Sequence, residues 1–225
     1  MAPQLQEHGN IETSVAYFRR LRLDGAMRIL DIGTRFGSFI QRIEELGYPD
    51  VYGIDIDAGT IARGREAYPR AAARLQVYDG RSIPYPAEHF DLVTMLDVLE
   101  HIPDAERFLR EEVLRVLKPG GLLMFQTPNK WINIPWEILH NRSLTRWRLH
   151  HCSLQGLGSL KRLLKDAGFT GVHIEKHEIR TAHNLAKIRK VLGPVGPPLL
   201  EILQRFPLVF YPNLWGWGKK AGENG

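Results

Sequence analysis

A chain of 225 residues, 44% of them hydrophobic and 24% charged, is long enough to bury a full core and ordinary enough to fold as one globular domain. One cysteine, Cys152, excludes an intrachain disulfide framework, and no apolar run reaches the length of a bilayer span. The net charge of +5 favours acidic partners, but no nucleic-acid-binding module is recognisable, and the basic residues read first as a solvated surface.

The opening stretch, MAPQLQEHGNIET, has no apolar core, so the expectation is a soluble cytoplasmic protein without a signal peptide. Residues 12–23 are predicted to form an amphipathic helix with Val15, Phe18, Leu21 and Leu23 near one face, and Tyr17 and Phe18 are candidates to close a pocket. MRILDIG then reads as a buried strand, 37–46 as a helix and 51–56 as a second strand. A helix over 58–67, a third strand over 73–79 and a fourth over 90–98 follow. Residues 104–117 are predicted helical with Asp104 as N-cap, KPGG as a turn, and 122–128 as a fifth strand.

The regular alternation breaks over 129–152, where Trp131, Trp136 and Trp147 could form an aromatic lid. A helix over 153–167 with Ser153 as N-cap leads to a sixth strand over 171–179. Residues 182–206 read as helices interrupted by GPVGPP, and PNLWGWGKKA as a last edge strand. The stretch from Val191 to Lys220 is apolar, aromatic and flanked by lysines. The preferred reading packs it on the sheet as a lid or dimer face, and contact with a membrane surface is the second. The whole chain is expected to be one domain, with 1–25 an N-terminal helical segment and 129–152 and 181–210 substrate-lid elaborations.

Strands alternating with helices imply a parallel sheet covered on both faces, with ligands beyond the carboxyl ends of the strands. That rule collects Asp31 to Gly37, Asp55, Asp79 and Asp97 to His101 on one rim. A glycine turn opening a helix offers N–H groups and close backbone approach. Asp55 can accept from ribose hydroxyls, and Asp79 from an exocyclic amine, so the set suits an adenosine-containing cofactor. The nicotinamide fingerprint fails at Arg35 and Ser38, and no phosphate P-loop follows.

ILDIGTRFGSF, VYGIDID, YDGRSIPYPAEHFDLV, LDVLEHIPD, VLRVLKPGGLLMFQTPN and LKRLLKDAGFTGVHIE occur in the order and spacing of six motifs. Together, across about residues 28–180, they resemble the Rossmann-like (class I) S-adenosylmethionine-dependent methyltransferase family, of the small-molecule type. The resemblance implies an α/β fold: a seven-stranded, mostly parallel sheet ordered 3-2-1-4-5-7-6, strand 7 antiparallel, with helices on both faces. It implies S-adenosylmethionine as cofactor, held by Asp31, Gly33, Arg35, Gly37, Asp55, Ile56, Asp79, Gly80 and Leu96. Within it, Asp31 orients the loop and the methionine amino group, and Ile56 packs on adenine. Arg35 is either tolerated, its backbone ordinary and its side chain turned away, or it pairs with the cofactor's carboxylate.

The implied reaction is methyl transfer to a small-molecule acceptor, acidic or lipid-linked among the options, with O-methylation favoured. His101, His150 and His151 are the candidate bases, because imidazole exchanges protons near neutral pH. Asp97-x-x-Glu100-His101 also resembles a metal-site pattern of ubiquinone-biosynthesis O-methyltransferases, but the same letters occur widely without metal, and no metal is assigned. A non-catalytic cofactor-binding or assembly protein, an RNA or protein methyltransferase, and a homodimer remain open.

Overall fold

The computed structural model describes residues 11–141, 152–177, 182–208 and 211–222. Seven strands form one sheet: β1 (Ile29–Ile32), β2 (Val51–Asp55), β3 (Leu75–Val77), β4 (Phe90–Leu96), β5 (Leu117–Pro128), β6 (Thr170–Glu175) and β7 (Asn213–Lys219). Their order is β3-β2-β1-β4-β5-β7-β6. β1 to β5 pair in parallel, and β7 lies antiparallel between β5 and β6. The α/β fold class and strand order expected from the resemblance are therefore those observed.

The inner strands are short apolar runs because both of their faces are covered. On β1, Leu30 and Ile32 enter one core with Phe90, Val93 and Phe125. Ile29 points the other way, into a second core with Phe18, Phe39 and Ile40. Helices α1 (Ile11–Arg20), α2 (Ser38–Glu45) and α3 (Ala58–Ala67) supply or border the second core. The first is covered by α4 (Ala105–Phe108), a π-helical stretch Leu109–Val113 and α5 (Leu114–Val116), together with a later helix. Asp57 caps α3 through the N–H groups of Gly59 and Thr60, and Asp104 caps α4 through Arg107.

Four local expectations change. β7 is not an edge strand: it pairs on both sides, and β6 is the edge. KPGG does not separate helix from strand, because Leu117 already pairs with Phe90. The four residues are looped out before Leu122 pairs with Leu92. The connection after 128 opens as a regular helix, α6 (Lys130–Asn141). Helix α7 begins not at Ser153 but at Leu157 and ends at Ala167, its entry fixed by the Gly156 N–H donating to Ser159 Oγ. Beyond β6 come α8 (Ala182–Leu192), a 3-10 turn Gly193–Val195 and α9 (Gly196–Arg205).

Candidate active site

The carboxyl ends of β1, β2 and β4 converge on a cavity of about 600 Å³, within the usual range for a cofactor or small-molecule site. Its first wall is the turn after β1. Gly33 and Thr34 donate their N–H groups to the Ile54 carbonyl at 2.8 and 3.1 Å. Gly33 has φ +74°, and a Cβ there would lie 2.3 Å from Val98 Cγ2. Gly37 has φ +85°, and its Cβ would meet Leu75 Cδ2 at 2.8 Å. Both positions are therefore closed to a side chain by conformation and by space.

Arg35 completes the turn in an unexpected way. Its backbone is left-handed, φ +52°, the conformation a glycine would take there without cost. An ordinary backbone at 35 is thus corrected. The N–H of Arg35 donates to Asp55 Oδ2 at 2.8 Å, and the guanidinium lies 5.5 Å from the centre of the Phe36 ring. Asp55 Oδ1 accepts from Asp57 N–H at 2.9 Å. The acid that ends β2 therefore ties the glycine turn to the next helix, and each of its oxygens keeps a further lone pair for a ligand.

Asp31 is buried beneath the turn and accepts from Thr94 Oγ1 at 2.6 Å. Burial pushes its carboxyl up to about 7, against the pull of hydroxyl hydrogen bonds and with a small push from the Asp55 charge. Ile56 faces the cavity and is 67% exposed, a large apolar surface open at the mouth. Tyr78, Gly80 and Leu96 also line the cavity. Asp79 Oδ1 accepts from the N–H groups of Ser82 and Arg81, which hold its carboxyl below the usual range.

The opposite wall is the corner after β4. Asp97 has φ +55°, with its N–H donating to the Gln126 carbonyl and its Oδ1 accepting from Gln126 Nε2 at 2.6 Å. Glu100 is almost fully buried, and Thr127 Oγ1 donates to its Oε2 at 3.0 Å. Burial raises the Glu100 carboxyl to about 8, with Asp97's charge adding to the rise. His101 is half exposed, lines the cavity and brings Nε2 to 3.9 Å from Glu100 Oε1. The N–H groups of Cys152 and Ser153 both donate to the Glu100 carbonyl at 3.0 Å, docking the later segment on this corner.

The structure thus gathers Asp31, Gly33, Arg35, Asp55, Ile56, Gly80, Leu96 and His101 around one space. Gly37 supports the turn from behind, and Asp79 stands on the adjoining turn. His150, His151 and Trp147 lie outside the described residues. Tyr17 and Phe18 do not close the cavity: both are core residues, and α1 offers Ile11 and Ser14 instead. Trp131 is exposed on α6, under the Lys130 ammonium. The sequence reading missed Phe36, Phe39 and Tyr78 as walls; only the position of Phe36 inside the glycine turn signalled one of them.

The donor set fits an adenosine-type cofactor: a turn closed to side chains at its two glycines, a strand-end acid with free lone pairs, and an apolar face at Ile56. A sequence model of the methyltransferase domain family matches residues 6–174. The chain belongs to the S-adenosylmethionine-dependent methyltransferase family. Among relatives of this methyltransferase domain, a ubiquinone biosynthesis O-methyltransferase of Bradyrhizobium sp. is 34% identical over 132 residues, covering 54% of this chain and 48% of the relative. Phosphoethanolamine N-methyltransferase 1 of Arabidopsis thaliana is 26% identical over 222 residues, 94% of this chain and 42% of the relative. The chain spans about half the length of the curated relatives it matches. A solved S-adenosylmethionine-dependent methyltransferase from Mesorhizobium loti shares the methyltransferase fold with a TM-score of 0.66 at 23% identity, covering 94% of this chain and 99% of that one. No helix among the described residues is long and apolar enough to cross a membrane.

Proposed function

We propose that the chain moves a methyl group from S-adenosylmethionine to a small-molecule acceptor, with oxygen the favoured atom. The carrying observation is continuity: one cavity runs from the turn and Asp55 to the corner at Asp97–His101. A donor on the first wall and an acceptor on the second would share one space, which is what in-line transfer requires. When bound, S-adenosylmethionine would supply an electrophilic methyl group. The chain's own part is positioning and exclusion of water. Gly33, Arg35 and Asp55 shape the polar cradle, while Phe36, Phe39, Val98 and Ile102 make an apolar lining. A hydroxyl acceptor must also lose its proton, and His101 faces the cavity with an imidazole able to take it.

N-methylation is the second reading, favoured by the Asp97 carboxyl on the acceptor wall, which would draw in an amine that must give up its proton before it attacks. In either case 129–152, with His150 and His151, and 181–210 are assigned to the acceptor side as lids, Asp79 to the adenine amine, and the protein to the cytoplasm. Titration calorimetry with S-adenosylhomocysteine should give one saturable event. Product formation with a panel of phenols, carboxylic acids, lipid-linked hydroxyls and amines should then identify the acceptor. Absence of cofactor binding overturns the proposal. With a hydroxyl acceptor, His101→Gln should lower kcat by roughly 10²-fold or more while leaving S-adenosylhomocysteine affinity in place.

A further inference from the structure

Between β6 and β7 the chain inserts α8 and α9, whose described residues do not themselves line the cavity. The two helices share a small core of their own, in which Leu200 and Tyr211 are buried against Leu185, Ile188 and Leu208. Gly196 lets the start of α9 press on α8, because a Cβ there would lie 2.8 Å from the Ile188 carbonyl oxygen. Leu200 uses only one side of α9. Leu199 and Ile202, three residues apart, share one face of α9, and Val195 in the 3-10 turn before it and Phe206 just past its end lie at the flanking steps of four. Val195 is 69% and Ile202 53% exposed, and the other two are each more than a third exposed, as is Leu192 beside them. Isolated exposed apolar residues are common; a row of five on one hairpin marks a contact surface.

The flanking charge identifies the contact. The hairpin over 182–208 carries four cations (Lys187, Arg189, Lys190 and Arg205) against one acid, Glu201. Arg189, Lys190 and Arg205 are exposed. A two-fold contact with a second copy would bring these cations toward their own images. An anionic lipid surface pairs with them while its acyl boundary accepts the apolar row. The hairpin also stands at the cavity's rim. Asn129 binds the Tyr211 and Pro212 carbonyls at 2.9 and 2.8 Å, and the neighbouring Pro128, a cavity-lining residue, pairs with Asn213.

We propose that the exposed face of α9 is an interfacial docking surface for an anionic lipid bilayer. The test is co-sedimentation of the full chain with vesicles of phosphatidylcholine alone and of phosphatidylcholine mixed with phosphatidylglycerol. The chain should pellet with the mixed vesicles and stay in solution with the neutral ones. Leu199→Asp with Ile202→Asp should cut that partition roughly tenfold or more. Arg189→Ala with Lys190→Ala, which leaves the helix and its apolar row intact, should weaken it several-fold and flatten its dependence on salt. All these positions are exposed, so the thermal midpoint and S-adenosylhomocysteine affinity should match the parent. Failure of the parent to pellet with anionic vesicles overturns the proposal, as does binding that survives both pairs of substitutions. A dimer that the Leu199/Ile202 pair converts to monomer, with no vesicle binding, assigns the face to a second copy instead.

Discussion

Arg35 carries a backbone conformation that its side chain disfavours, and its N–H is nevertheless a fixed part of the site through Asp55. For a residue with a Cβ the left-handed region costs about 1–2 kcal/mol. Arg35→Gly removes that cost, keeps the N–H and gives up the contact over Phe36. The variant is expected to gain about 1 kcal/mol in urea denaturation and to bind S-adenosylhomocysteine at least as well. Arg35→Pro, which has no N–H and cannot take this φ, should lose both stability and binding. The sequence marks position 35 as a missing glycine. It does not show that arginine adopts the glycine's conformation, because φ is set by contacts with Asp55, twenty residues away. Asp31 offers a second measurement at this scale. Raised to about 7 by burial, its carboxyl is partly protonated at neutral pH. A cationic amine arriving beside it, as the family resemblance implies, would draw out the proton. S-adenosylhomocysteine affinity should therefore rise between pH 6 and 8, at most about tenfold per unit, with proton release visible as a dependence of calorimetric heat on buffer. Asp31→Asn should abolish the pH dependence.

The glycine turn and the corner after β4 are one mechanical unit, because Val98 fills the space a Cβ on Gly33 would need. Gly33→Ala faces two separate costs: about 1–2 kcal/mol for φ +74° and about 1–3 kcal/mol for the clash. Val98→Ala removes the clashing methyl and leaves the conformational cost. Thermal unfolding of the two single variants and the double variant should show the double less destabilised than the sum of the singles. A strictly additive result would mean that turn and corner move independently. Most elements here were legible from local pattern. β1 to β4 are apolar runs that end at turns, and the rim acids follow directly from where those runs stop. The glycine pair and Asp55 were legible for the same reason. What was not legible depends on distant partners. Leu117 joins β5 only because Phe90 waits beside it, and α7 starts at Leu157 because Ser159 reaches back to Gly156. Tyr17 and Phe18 matched a pocket as well as a core until α1 was placed. α1 packs Tyr17 against Trp215, the first tryptophan of a strand that lies last in the sequence and inside the sheet.

Across the whole molecule, the carboxyl groups divide into two sets that act on stability in opposite directions. Asp57 and Asp79 accept backbone N–H groups that hold them below the usual range, so the stability they contribute is present above about pH 4 and is lost on acidification. Asp31 and Glu100 are raised, to about 7 and about 8, chiefly by burial. A raised carboxyl binds more protons folded than unfolded. Its contribution is fully present below the unfolded value near 4 and fades as pH climbs through the folded one. Without ligand the protein should thus be most stable on the mildly acidic side of neutral, and should lose stability on the order of a few kcal/mol between about pH 5 and 9. Thermal unfolding followed across that window measures the slope. Glu100→Gln keeps an acceptor for Thr127 and removes the titrating proton, so its unfolding midpoint should fall less toward pH 9 than the parent's. If the variant keeps the parent's full slope, Glu100 is already ionised at neutral pH, and the acceptor wall carries two negative charges rather than the one from Asp97.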